Sequence, residues 1–226
     1  AAEPVAPEPA RRKRSPRAAT AKQETWVEPG ASGETRSKVG TDVPADIAAV
    51  EAQLEANASR MTLEVQGASI PLTNLDKVLW PEDRALGEPA CTKRDFIAYL
   101  ARVSPCMLPH LADRPLTMIR MPEGIDGERF YQKHWEASSP GFVQKITVFS
   151  GHKDESHDYL LANNLPTLLW LGQNGTLEFH VWHSRTTLGP DTPNRNVDFA
   201  GSLESLEASL LNYTDFLVFD IDLYIY

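Results

Sequence analysis

The sequence predicts an α+β fold, a mixed or mainly antiparallel sheet with flanking helices. Three observations predict it. Candidate strands outnumber candidate helices. Most of those strands alternate apolar and polar residues, which favours a mixed or antiparallel sheet over a doubly wound one. Apolar residues make up 42% of the 226 positions, enough for a sizeable core. No internal repeat is visible.

Residues 1–60 read as a disordered linker plus a short helix. Up to about residue 43 the chain is rich in Pro, Ala, Glu, Gly, Ser and basic residues, with Trp26 its sole large aromatic. Such a segment buries too little apolar surface to offset its ordering entropy. The run RRKRSPR within it fits a solvated linker, and a nucleic-acid contact is the alternative. In ADIAAVEAQLEANAS, Ile47, Val50 and Leu54 recur at helical spacing. MTLEVQGASIPLTN reads as a hairpin turning near Gly67. Thr92, with Asp95 three places on, caps a helix that turns Phe96, Leu100, Val103 and Met107 to one side and ends by Pro109. RPLTMIRMPEGIDGERFYQKHW is strand, turn and strand, and GFVQKITVFSG is a further strand. NLPTLLWLGQNG is a helix with Asn164 as N-cap, Pro166 in its first turn and Gly175 as its stop. TLEFHVWHS is a strand with Leu177, Phe179 and Val181 on one side and Glu178, His180 and Trp182 on the other. A loop and a short helix, SLESLEASLLN, lead to a closing strand, FLVFDIDLYIY.

Composition narrows the functional classes. No run of about 18 apolar residues marks a membrane span, and the N-terminal residues lack an apolar signal core. Cys91 and Cys106 are the only cysteines and show no metal-ligand spacing, which fits a reduced, cytoplasmic setting. Net charge is −9, yet Arg11, Arg12, Lys13, Arg14, Arg17 and Lys22 cluster at the N-terminus, so the remainder is more acidic than the whole. If such a folded part touches nucleic acid, it must do so through a local patch, because bulk attraction is absent.

On the closing strand, Asp220 and Asp222 leave the same face with Cα atoms roughly 6–7 Å apart. Two such carboxylates can share a divalent cation, or hold two metals around a transferring phosphoryl group. An exposed strand end would make the pair equally unremarkable. His180, mid-strand, suits either a hydrogen-bonded core histidine or a phosphate or metal contact. In FYQKHW, adjacent aromatics stand beside Lys133 and His134. One aromatic facing the core and one facing water is the plain explanation; stacking on unpaired bases is the functional one. Lys77 and Lys93, taken singly, are ordinary surface lysines.

Taken together and in order, LTNLDKVLWPED, TKRDFIAYL, MLPHLADRPLTMIRMPEGIDGERFYQKH, LEFHVWHSR and FLVFDID resemble the polymerase domain of bacterial DNA ligase D, of the archaeo-eukaryotic primase superfamily. The resemblance runs from about residue 61 to residue 226 and makes the expected fold primase-polymerase-like. It implies a template-guided nucleotidyltransferase of non-homologous end joining that adds nucleotides, preferably ribonucleotides, to 3′ ends at double-strand breaks. Asp220 and Asp222 match the family's carboxylates for Mn²⁺ or Mg²⁺, and His180 matches the histidine beside the incoming NTP or dNTP. Asn74, Lys77 and Lys93 match the pocket for the 5′-phosphate of the downstream strand. Phe130 and Tyr131 match an aromatic pair that supports the template, with Lys133, Arg114 and Arg120 as further template contacts. Implied partners are DNA ends bearing a 5′-phosphate, Ku, and covalently linked ligase or phosphoesterase domains, in the cytoplasm at the nucleoid.

The departures are also expectations. The family's later motif, third carboxylate and basic cluster do not occur in this sequence, and Leu223 stands where the family commonly has Pro. The run NVDFAGSLESLEASLLNY looks longer than usual. The sequence is therefore read as the N-terminal portion of the domain, truncated at the C-terminus and catalytically silent alone. The rivals are a non-catalytic module binding 5′-phosphorylated ends and a D-x-D glycosyltransferase. The latter accounts for the carboxylates but not for the lysines or FYQKHW.

Overall fold

The structure, a computed structural model, describes residues 45–151, 154–188 and 195–219. The first helix, α1 (Ala45–Leu54), buries Ile47, Val50 and Leu54, the spacing that the sequence showed. It packs on β1 (Met61–Val65) and the long helix α2 (Lys93–Leu111), so the compact unit begins ahead of Met61. Strands β1 and β2 (Ala68–Leu72) form a hairpin whose two turn residues, Gln66 and Gly67, both have positive φ (49° and 75°). That is the geometry a two-residue turn needs to match the twist of its strands.

Two short strands follow, β3 (Val78–Trp80) and β4 (Cys91–Thr92), paired antiparallel. Neither was read from the sequence, since two or three residues carry no period. Helix α2 (Lys93–Leu111) starts as expected: the Thr92 hydroxyl accepts from the Asp95 amide, and the Asp95 carboxylate accepts from the Thr92 amide. It ends later than expected, running through Pro105 and Pro109. Pro105 cannot donate to the Ala101 carbonyl, and the buried Ser104 hydroxyl does so instead, at 2.8 Å. The buried stripe is also broader on its other side, with Ile97, Ala101 and Ser104 inside and Val103 and Met107 only partly covered.

The central three-stranded sheet has the order β6-β5-β9, all antiparallel, with β5 (Leu116–Arg120), β6 (Phe130–Gln132) and β9 (Thr176–Val181). Strand β7 (Gln144–Ser150) pairs with β8 (Glu155–Leu161) as a separate ladder. The sequence did not disclose β8, whose first residues are polar and exposed. Helix α3 (Leu165–Gln173) is buried from Leu165 to Gly172 and forms the centre of the core. Asn164 caps it and Gly175 (φ +76°) ends it. A Cβ on Gly172 would lie 2.5 Å from a Leu100 methyl, so glycine lets α2 and α3 approach closely. Leu168, Leu169 and Leu171 pack there against α2, β2 and the inner face of the sheet.

A second, smaller cluster joins Val148, Phe199, Leu210 and Leu211, covered by α4 (Leu203–Glu207) and a 3₁₀ turn at Leu210–Asn212. All described strand pairs are antiparallel, five ladders in four small sheets, so the expected α+β class holds. One element differs. Residues 216–219, expected to open the closing strand, form no strand, and Phe219 is 80% exposed. Among the described residues no strand pairs with them.

Candidate functional site

Where the chain leaves β2, Asn74 adopts a left-handed conformation (φ 54°) and the Lys77 amide bonds its carbonyl. The loop is then stitched to the start of α2: the Lys93 amide donates to the Lys77 carbonyl at 2.8 Å, and the Arg94 amide to the Leu75 carbonyl at 3.0 Å. Asn74, Lys77 and Lys93 are thereby brought to one place, although 16 positions separate the two lysines. Lys93 is 6% exposed, and its ammonium donates to the Thr73 and Gln173 carbonyls. The second lies at the C-terminal end of α3, where the helix dipole favours a cation. Thr73 and Gln173 are in turn joined twice, amide to side-chain oxygen and side-chain nitrogen to hydroxyl. Two of the three ammonium donors are taken by carbonyls, which leaves the third for an incoming acceptor.

Burial pushes the Lys93 ammonium below the ordinary lysine range, and the neighbouring Lys77 pushes it further; Glu123 opposes both. Lys77 is half-buried, and its ammonium donates to the Pro122 carbonyl and to the Glu123 carboxylate. The pocket is therefore two neighbouring ammonium groups lined by carbonyl oxygens, with one carboxylate at its rim. Its chemistry suits a compact anion of more than one negative charge. Thr73, Gln173 and Glu123 were not read from the sequence. The only signal available was the position of Gln173 at a helix end.

The open face of the central sheet carries a second group. Ile119 pairs with Tyr131 on one side and Glu178 on the other, and Thr117 pairs with His180. Residues opposite one another share a face, so Tyr131, Glu178 and His180 stand on the same side. His180 is exposed, not a core histidine, and its Nε2 lies 3.1 Å from Glu178. The other oxygen of that carboxylate is bonded by Arg129. Tyr131 is 72% exposed, and Phe130, on the opposite face at the sheet edge, is 44% exposed. Both aromatics thus meet solvent, so neither is a core residue, and Lys133 beyond them is exposed too.

The two arginines point inward. Arg120 donates to the Asn174 carbonyl and the Gln132 side chain and lies over the Trp135 ring. Arg114 is 3% exposed. Its guanidinium donates to the Trp182 carbonyl and the Asp215 carboxylate, with the Phe216 ring against it. That occupation makes Arg114 an internal anchor for residues 215–216; a template backbone contact would have to break it. Asp220 and Asp222 lie outside the described residues. Among the described residues no group of three or more His, Cys, Asp or Glu is placed to hold a metal ion, and no helix is long and apolar enough to cross a membrane.

An exposed aromatic edge, a solvent-facing histidine and a paired-lysine anion pocket, all on one α+β unit, define a candidate nucleic-acid-binding domain. Comparison with known proteins gives the family. The family described as "LigD, primase-polymerase domain" matches residues 92–222, more than half of the chain, and the chain belongs to it. The span includes Lys93, Phe130, Tyr131, His180, Asp220 and Asp222; Asn74 and Lys77 lie ahead of it. The bifunctional non-homologous end joining protein LigD of Bacillus subtilis is 38% identical over 112 residues, covering 50% of this chain and 16% of that protein. The multifunctional DNA repair protein LigD of Mycobacterium tuberculosis is 35% identical over 127 residues, 56% of this chain and again 16% of the relative. The chain thus matches only a small part of the length of these relatives. A solved polymerase domain from Mycobacterium tuberculosis ligase D, in complex with DNA, is similar over 54% of this chain and 39% of its own, at 36% identity and a TM-score of 0.45.

Hydrogen bonding to Arg114 holds the Asp215 carboxyl below the ordinary carboxylate range, with Arg185 adding to the effect. A lowered carboxyl pKa stabilises the fold above the unfolded value, about 3.9, and that contribution disappears as pH falls through the lowered one. Asp215→Asn is accordingly expected to lower the thermal midpoint at pH 7, and the gap to the parent protein to close below about pH 4. Melting curves across that range check it.

Proposed function

We propose that the chain carries the DNA-end grip of a repair nucleotidyltransferase of non-homologous end joining. In this reading Asn74, Lys77 and Lys93 bind the 5′-phosphate on the downstream side of a break, and Tyr131 and Phe130 support the template strand. Lys133 contacts the template backbone nearby, while Arg114 and Arg120 brace the elements on which those contacts rest. His180 faces the phosphates of the incoming NTP or dNTP, and Asp220 and Asp222 hold Mn²⁺ or Mg²⁺. The observation that carries the reading is the convergence of Lys77 and Lys93, remote in sequence, on one partly desolvated site. Family membership supplies the polymerase context. A terminal phosphate carries more charge than an internal diester, so a pair of lysines can select an end while the protein as a whole stays acidic.

Two carboxylates, Asp220 and Asp222, are oxygen donors that suit a hard divalent cation. Such an ion would offset charge on the triphosphate and lower the pKa of the attacking 3′-hydroxyl. The chain's own residues bind and orient. Glu178 holds His180 and Arg129 at fixed positions on the open sheet face, where phosphate oxygens can replace the carboxylate as acceptor. Ku and covalently linked ligase or phosphoesterase domains belong to the same proposal as partners.

A non-catalytic reading, end binding without extension by this segment alone, shares the pocket and differs only in the chemistry. Two measurements divide the possibilities. In duplexes differing only in a recessed 5′-phosphate or 5′-hydroxyl, the phosphorylated end is expected to bind more tightly. Lys93→Ala is expected to reduce that preference about tenfold, the scale of a lost charged hydrogen bond. Equal affinity of the parent protein for both duplexes would remove the pocket from the account. In a polypeptide that includes the rest of the domain, Asp220→Ala or Asp222→Ala is expected to abolish Mn²⁺-dependent primer extension. Undiminished extension by either variant refutes the catalytic assignment.

A further inference from the structure

The pocket contains one group that the phosphate reading does not use, the Glu123 carboxylate. It arrives on a turn held from two directions. The Met121 amide donates to the Gly175 carbonyl at 2.7 Å, and the Ile125 amide to the Leu79 carbonyl at 2.9 Å. Between them Gly124 has φ +90°, and a Cβ there would lie 2.7 Å from the Leu79 carbonyl oxygen. Only glycine permits this approach, so the backbone beside Glu123 has little room to drift.

From that fixed turn two oxygens reach Lys77: the Pro122 carbonyl at 3.2 Å and the Glu123 carboxylate at 2.7 Å. They differ in what they can do next. The carbonyl is backbone and stays, holding the ammonium in place. The Glu123 side chain is 69% exposed, against 27% for Lys77, so the carboxylate can rotate into water while the ammonium remains. Within the pocket the carboxylate also opposes the mutual repulsion of Lys77 and Lys93.

We propose that Glu123 is a built-in competitor for the phosphate pocket: its carboxylate occupies the place on Lys77 that a terminal phosphate takes, and swings out when that phosphate arrives. At rest the carboxylate offsets one of the two ammonium charges, so the pocket does not hold polyanions indiscriminately. An incoming group displaces the carboxylate only by offering more than one ion pair, as a terminal monoester does when its oxygens reach Lys77 and Lys93 together. The cost of displacement lowers affinity for the phosphorylated end and hastens its release. This inference rests on the reading of Asn74, Lys77 and Lys93 as a terminal-phosphate site.

The test is fluorescence anisotropy of this chain on two duplexes that differ only in a recessed 5′-phosphate or 5′-hydroxyl. Glu123→Gln is expected to raise the ratio of affinities, phosphate over hydroxyl, by about two- to fivefold, the scale of an exposed ion pair. Glu128→Gln removes the same charge from an exposed position on the next stretch of chain and controls for the general field. It is expected to leave the ratio as it is. If Glu123→Gln does not raise the ratio while Lys93→Ala still diminishes it, the competitor is overturned and the pocket stands. If both glutamine variants raise it equally, a diffuse field effect replaces the specific contact, and the proposal is likewise overturned. If the parent protein binds both duplexes alike, or neither, the pocket itself fails and the inference goes with it.

Discussion

Lys93 is an ammonium held almost out of water, and its position organises everything around it. Its two carbonyl partners come from the loop after β2 and from the end of α3, while its own backbone belongs to the first turn of α2. One side chain therefore joins three elements that are far apart in sequence. Burial of a cation costs free energy unless it is well solvated by fixed dipoles. Here the Thr73 and Gln173 carbonyls supply those dipoles, and the helix end adds to them. The adjacent Lys77 makes the site more positive than the fold alone requires. Two ammonium groups face the single Glu123 carboxylate, and the positive charge left over is the physical basis for reading the place as a phosphate site.

The open sheet face follows a different logic. Tyr131, Glu178 and His180 are aligned by strand register, so their relation is fixed by backbone hydrogen bonds and not by a packed core. Glu178 bridges His180 and Arg129, a pairing that positions both while leaving them exposed. Arg114 and Arg120 do the opposite. Their guanidinium groups are committed to carbonyls, a carboxylate and aromatic rings inside the unit, where they brace the strand ends. They keep neighbouring elements in place.

Much of this was legible in the residues. The capping pairs Thr92–Asp95 and Asn164–Pro166, the Gly67 turn and the alternation of TLEFHVWHS all reported local structure that tertiary contacts then kept. Strands β3 and β4 were invisible because they are too short to show a period, and β8 because its polar start obscures one. The overrun of α2 past Pro109 was hidden because a proline ordinarily marks a helix end, whereas here the Ala112 amide still donates to the Leu108 carbonyl. Lys77 and Lys93 were singly ordinary lysines, grouped only by the family resemblance, because their proximity depends on the β3–β4 pairing that the residues did not show. Glu123 lay in a turn segment where a charged residue ordinarily means solvent. The Asp220 and Asp222 pair lies outside the described residues.

The most direct test of the central claim is ³¹P NMR of a duplex with a single recessed 5′-phosphate, titrated with pH in the presence and absence of the protein. A free terminal phosphate gains its second charge near pH 6. Two ammonium groups at the pocket should favour the dianion, so the bound phosphate is predicted to titrate at a distinctly lower pH, and Lys93→Ala to return it toward the free value. A bound phosphate that titrates as it does in free DNA would mean that the paired lysines do not hold it, and would contradict the account.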